Sequence, residues 1–160
     1  MPRVPLFRTS TLVARLAKVP LLSGLSRHQL RQLAKVADTR DFPADTPVVR
    51  QGERGLGFYF IVKGLVTVRR AGRPVVALGP GEFFGELALF HEGVRSADVV
   101  TEEPSTAVVL SRQEFWKFAD VHPEVLKTIL AEMARRLESN EPTEGKPRGR
   151  PLRTARGLAP

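Results

Sequence analysis

Between Thr39 and Leu110 the chain is interrupted every few residues by glycine and proline, and this punctuation restricts the possible folds more than any other feature. The apolar runs Val48-Val49, Phe58 to Val62, Leu65 to Val68, Val75 to Leu78, Ala97 to Val100 and Ala107 to Leu110 are too short for buried helices. They are rich in β-branched and aromatic residues, and Gly52, Gly64, Gly72 and Gly79-Pro80-Gly81 stand between them as turns. Short strands joined by tight turns pair in antiparallel fashion, so the expected architecture is an antiparallel β-roll, jelly-roll-like, able to enclose one small ligand. Tight hairpins require φ > 0 somewhere, and most of these glycines are assigned to that role.

The flanking segments change period. Leu12, Val13, Leu16 and Val19 are spaced for one helical face, and Ser26 caps a second segment carrying Leu30, Leu33 and Val36. After the roll, Ser111 begins a helix through Phe115, Trp116 and Phe118, and Pro123 opens a longer one, 123–139. On that helix Val125, Leu126, Ile129, Leu130, Met133 and Leu137 form a stripe broader than one packing seam, wide enough for its own domain and for a second neighbour. The fold class is therefore α+β: a roll flanked by N-terminal helices and a long C-terminal helix.

Composition narrows the chemistry. A chain of 160 residues, 42% hydrophobic, builds one sizeable core. No apolar stretch approaches the ~18 residues that span a bilayer, and no long apolar signal core opens the chain, so the expected location is cytoplasmic with no membrane partner. The absence of cysteine excludes disulfides, thiolate metal ligands and cysteine nucleophiles. His28, His91 and His122 are scattered without metal-site spacing, and no phosphate-loop or nucleophile-elbow motif is present. Neither a metal, a cofactor nor catalysis is expected.

One loop carries binding chemistry: Phe84-Gly85-Glu86-Leu87-Ala88-Leu89, then Arg95-Ser96-Ala97. Gly85 permits a tight turn with close backbone approach, and Leu87 to Leu89 continue as a helical turn whose first N–H groups face an anion. Ionised Glu86 accepts hydrogen bonds only, which suits a sugar hydroxyl and repels phosphate. Arg95 supplies a permanently charged planar fork for phosphate oxygens. Together they suit a ligand that joins ribose and phosphate, as a cyclic nucleotide does. Taken alone, Glu86 and Arg95 also fit an exposed ion pair worth roughly 0–1 kcal/mol.

The whole string resembles the phosphate-binding cassette of the cyclic nucleotide-binding domain family, and Val48-Val49-Arg50-Gln51-Gly52-Glu53-Arg54-Gly55, continued through Gly57-Phe58-Tyr59 to Gly64, resembles a second family signature. The resemblance implies a domain over 11–140, preceded by a flexible arm at 1–10. It implies that Gly85 and Glu86 hold the ribose, that the Leu87 and Ala88 backbone faces the phosphate, and that Arg95 pairs with it. By the same resemblance Ser96 favours cAMP while leaving cGMP open, Val66 is an inward wall position, and Arg136 lies near the ribose or the cassette glutamate. Asn140 falls near an adenine contact, and is equally a helix stop. In relatives the helix equivalent to 123–139 forms a homodimer and closes over the nucleotide.

Residues 1–140 carry 20 basic and 15 acidic side chains, a net of +5, whereas residues 141–160 carry 5 and 2, a net of +3 within the formal +8. This basic tail also holds four prolines and three glycines, too few residues of the wrong kind for a folded DNA-binding domain. Its composition is that of a disordered segment. Arg148-Gly149-Arg150-Pro151 resembles the core of an AT-hook, in which glycine lets two arginines enter a narrow A·T minor groove. The expected function is thus a non-catalytic cyclic nucleotide receptor, by preference for cAMP, that changes conformation on binding and regulates a partner. Two alternatives stay open: a DNA-associated regulator acting through the tail, and a scaffold or regulatory subunit of an enzyme on another chain.

Overall fold

The computed structural model describes residues 9–140 apart from 56 and 92, with backbone alone for residues 9, 139 and 140. The tail residues Arg148, Gly149, Arg150 and Pro151 lie outside the described residues, as do the side chain of Asn140 and most of the expected arm. Thr9 and Ser10 belong to a helix rather than to that arm.

Helix α1 (Thr9–Leu16) buries Leu12, Val13 and Leu16. Val19 is also buried but lies beyond the helix, just before a 3-10 turn at Pro20–Leu22. Helix α2 (Arg27–Val36) begins at a capping box: Ser26 Oγ accepts from Gln29 N at 3.2 Å, and Gln29 Oε1 accepts from Ser26 N at 2.8 Å. Leu30, Leu33 and Ala34 form its buried face, while Val36 is 40% exposed. At ~100° per residue, position 36 points some 120° away from position 30, so the helix buries alanine at 34 rather than valine at 36.

Among the described residues eight strands follow: β1 (Asp38–Phe42), β2 (Pro47–Val49), β3 (Gly57–Lys63), β4 (Val66–Arg70), β5 (Arg73–Leu78), β6 (Phe83–Phe84), β7 (Asp98–Thr101) and β8 (Ser105–Ser111). They form two antiparallel four-stranded sheets, ordered β1-β8-β3-β6 and β2-β7-β4-β5. Strand β1 had no apolar run to announce it, because Asp38-Thr39-Arg40-Asp41-Phe42 is a charged edge strand that pairs only with β8. Asp41 Oδ1 accepts from Thr106 Oγ1 at 2.6 Å across that pair.

Helix α3 (Leu87–Phe90) interrupts the roll between β6 and β7. After β8, Ser111 caps α4 (Arg112–Val121) through Glu114 N, and α5 (Glu124–Asn140) follows Pro123. The helices cover the outer face of the β3-containing sheet, where Phe58, Phe60, Phe83, Phe115 and Ile129 share one core. A second, smaller core lies between the two sheets around Tyr59, Ile61, Val66, Phe84 and Val99. The α5 stripe divides: Val125 and Ile129 are buried against the domain, whereas Leu130 and Leu137 are 58% and 69% exposed. Among the described residues no helix is long and apolar enough to cross a membrane.

Candidate ligand-binding site

The inter-sheet core does not fill the roll. At the end nearest α3 it gives way to a cavity of about 1110 Å³, open to solvent, with Val49, Val68, Val76 and Val99 on its apolar side and Glu86 and Arg95 on its polar side. The tip of α5, through Met133, Arg136 and Leu137, closes part of its mouth.

Gly85 connects β6 to α3 with φ +84°, in the left-handed region that favours glycine. A Cβ at Gly85 would stand 2.7 Å from Arg95 Nη1 and 2.8 Å from Gly57 O, so both conformation and space require glycine. Glu86 begins the helical turn, in which Ala88 N–H donates to Gly85 O at 3.2 Å and Leu89 N–H to Glu86 O at 3.1 Å. The Ala88 N–H, expected to be free for an anion, is therefore already engaged within the turn. Leu87 is 54% exposed at the cavity mouth.

The Glu86 side chain is only 13% exposed, and its carboxylate accepts from Arg136 Nη1 at 2.7 Å. Arg136 also donates through Nη2 to Phe83 O at 3.0 Å, and its guanidinium lies 4.1 Å from the centre of the Phe83 ring. Fifty positions separate Glu86 from Arg136, yet this one side chain fastens α5 to the β6–α3 junction. The other end of the turn is fastened to α4, where Trp116 Nε1 donates to Leu89 O at 2.8 Å.

Arg95 is held differently. Nη2 donates to Gly57 O at 2.8 Å, and the guanidinium lies 5.8 Å from the centre of the Tyr59 ring, itself stacked on Phe84. Nε is buried without a hydrogen-bond partner among the described residues. Burial lowers the Arg95 pKa from its ordinary value, with the charges of Tyr59 and Glu86 opposing that shift. An arginine remains protonated nonetheless, so the cavity contains a partly desolvated cation. Among the described residues no carboxylate lies within ion-pair distance of it. A bound anion would offset the desolvation and occupy the remaining donors.

The other sequence-selected residues fall as follows. Ser96 is exposed and lines the cavity. Val66 points inward, as expected, but is sealed at 1% exposure in the inter-sheet core, and the cavity wall on β4 is Val68, two residues further on. The two valines share a face; Val66 pairs with Leu78 and Thr101, whereas Val68 pairs with Val76 and Val99 at the open end. Gly55 was not singled out by itself, yet its missing side chain is where the Arg95 guanidinium lies. The second glycine-rich signature held that signal. His91 and His122 terminate α3 and α4, as C-cap residues.

Comparison with known proteins agrees with this geometry. The family model described as the cyclic nucleotide-binding domain matches residues 39–122. The chain is 32% identical over 123 residues to the cyclic AMP receptor protein of Thermus thermophilus, which covers 74% of this chain and 57% of that protein. It is 44% identical over 85 residues to a cAMP-dependent protein kinase regulatory subunit of Schizosaccharomyces pombe, covering 52% of this chain and 21% of the relative. Among solved structures, the Thermus thermophilus catabolite activator protein superposes with a TM-score of 0.70 at 33% identity, over 74% of this chain and 58% of that one. The regulatory domain of Toxoplasma gondii PKA crystallised with cAMP gives 0.68 at 27% identity, over 78% and 50%. This chain thus spans little more than half of these relatives, or less. The family match, the two-sheet roll and the Glu86–Arg95 cavity lead to one conclusion: the chain belongs to the cyclic nucleotide-binding domain family.

Proposed function

We propose that the cavity binds a cyclic nucleotide, cAMP in preference to cGMP, and that α5 conveys occupancy to a partner. The observation that carries this reading is Arg95: a half-buried guanidinium without a carboxylate partner among the described residues, at the polar end of a cavity whose opposite side is apolar. A cyclic phosphodiester brings one negative charge to that cation. Glu86, acceptor-only when ionised, suits the ribose 2′-hydroxyl on the same ligand, and Val49, Val68 and Val76 offer an apolar surface to the purine. The relatives whose names carry cAMP support this ligand class, and the small Ser96 supports cAMP over cGMP.

The output runs through α5, because Arg136 joins that helix to Glu86. A ligand that engages Glu86 changes what Arg136 can bind, and for this to act as a switch the nucleotide must favour one α5 arrangement over the other. The exposed Leu130 and Leu137 present a surface for a second copy of the chain, the homodimer partner we propose. The domain itself acts as a regulatory module without catalysis.

Calorimetric titration with cAMP and with cGMP tests the reading. Saturable binding of one nucleotide per chain, tighter for cAMP, is expected. Tighter cGMP binding would overturn the preference, and absence of binding by either would overturn the ligand class.

A further inference from the structure

The Arg95 guanidinium is aimed into the cavity by a loop that precedes it in the chain by about 40 residues. Gly52 N–H donates to Arg95 O at 2.9 Å, Arg95 N–H donates to Glu53 O at 2.8 Å, and Arg54 forms a bridge with Val94. These contacts fix the backbone on either side of Arg95. Gly57 O then receives Nη2 at 2.8 Å and fixes the far end of the side chain. Between these two anchors the guanidinium crosses directly over Gly55: a Cβ there would stand 2.5 Å from Nη2 and nearer still to Nε and Cζ.

The reason for glycine at position 55 differs from that at position 85. Gly85 has φ +84°, so its backbone alone disfavours any other residue. Gly55 is not among the positive-φ glycines, so its φ does not exclude an L-residue, and the three atoms nearest to a Cβ there all belong to Arg95. We infer that Gly55 is a positioning residue for anion binding: its missing side chain forms the slot that holds the Arg95 guanidinium facing the cavity. Because the anchor at the far end of that slot is a neutral carbonyl, the arginine charge stays available to the ligand. This inference deepens the proposed function and rests on it for the identity of the anion.

The test is a double-mutant cycle of Gly55→Ala and Arg95→Ala, read by thermal melting and by calorimetric titration with cAMP, with Gly24→Ala as the control at a glycine with open space around it. Gly55→Ala should weaken cAMP binding by about 10- to 100-fold, the order of loss of one hydrogen bond to a charged group. It should also lower the melting temperature in the parent chain more than in the Arg95→Ala background, because the three atoms nearest to the methyl are then gone. Parent-like affinity in Gly55→Ala, or an equal drop in melting temperature in both backgrounds, would overturn the inference. If Gly55→Ala alone fails to fold, the double variant should fold, and its failure would likewise overturn the slot. Should the parent chain bind no cyclic nucleotide, the proposed ligand fails, while the melting cycle still decides whether Gly55 holds Arg95.

Discussion

On one side of β3, Phe58 meets Phe60, Phe83 and Phe115 edge to face, and the helices cover them so closely that the residual space is about 10 Å³, roughly one water at most. On the other side Tyr59 and Ile61 face the second sheet, and that interior opens into a cavity of about 1110 Å³ that also runs along the 20–23 turn and α5. Alternation along a single strand therefore separates a filled interior from a hollow one. The helices supply bulk to the first, and nothing in the roll itself supplies it to the second. A rigid outer core holds the wall, and the hollow side can offer charge and apolar surface without collapsing.

Truncation should distinguish the two sides most sharply. Phe58→Ala removes a ring 1% exposed from the filled core and should lower unfolding free energy by about 3–5 kcal/mol in urea denaturation. Val68→Ala, on the cavity wall, should cost less than about 1.5 kcal/mol because its side chain already borders open space. Equal losses would mean that the cavity side is packed core.

The link between the two sides should show next. Arg136→Leu leaves Glu86 and Phe83 O without their cationic donor, and should cost about 1–3 kcal/mol and speed hydrogen exchange in the last turns of α5. Unchanged exchange there would separate α5 from the cassette. Trp116→Phe keeps the aromatic contacts with Phe90 and Phe115 but loses the bond to Leu89 O, a change of about 0.5–1.5 kcal/mol by the same denaturation.

The smallest effect concerns Glu124, where a backbone hydrogen bond, opposed by desolvation and aided by the Gln29 amide and His122, holds the carboxyl below its usual range. A depressed carboxyl adds stability that is full above its unfolded pKa of about 4.3 and lost as pH falls through the lower folded value. Melting curves of Glu124→Gln and the parent should therefore converge in acid and separate slightly at neutral pH. The reverse order would remove Glu124 from the α2–α5 contact with Gln29.

The sequence disclosed the parts of this arrangement that depend on local chemistry. Ser26 and Ser111 announced their helices because capping is a contact within three residues, and the valine-rich runs announced strands because side-chain period is local. Charged β1 was hidden, since its reason for being a strand is a partner, β8, distant in sequence. Val66 and Val68 have the same parity, so period places both inward without saying which one reaches the cavity. Glu86 and Arg95 stood out by their chemistry, but taken alone they also fit an exposed ion pair, and both their place in a site and the Arg136 contact came from family resemblance, as no local pattern spans that gap. The purpose of Gly55 was illegible for a further reason: a glycine that makes room for another side chain looks the same in sequence as one that makes a turn.

The most direct test of the account pairs affinity with stability in Arg95→Leu. Because burial of the guanidinium opposes its charge, the variant should melt at the parent temperature or somewhat above it, while cAMP binding measured by calorimetry weakens by about 2–5 kcal/mol. Unchanged affinity with intact folding would contradict the claim that the hollow side of the roll exists to hold a cyclic nucleotide phosphate on Arg95.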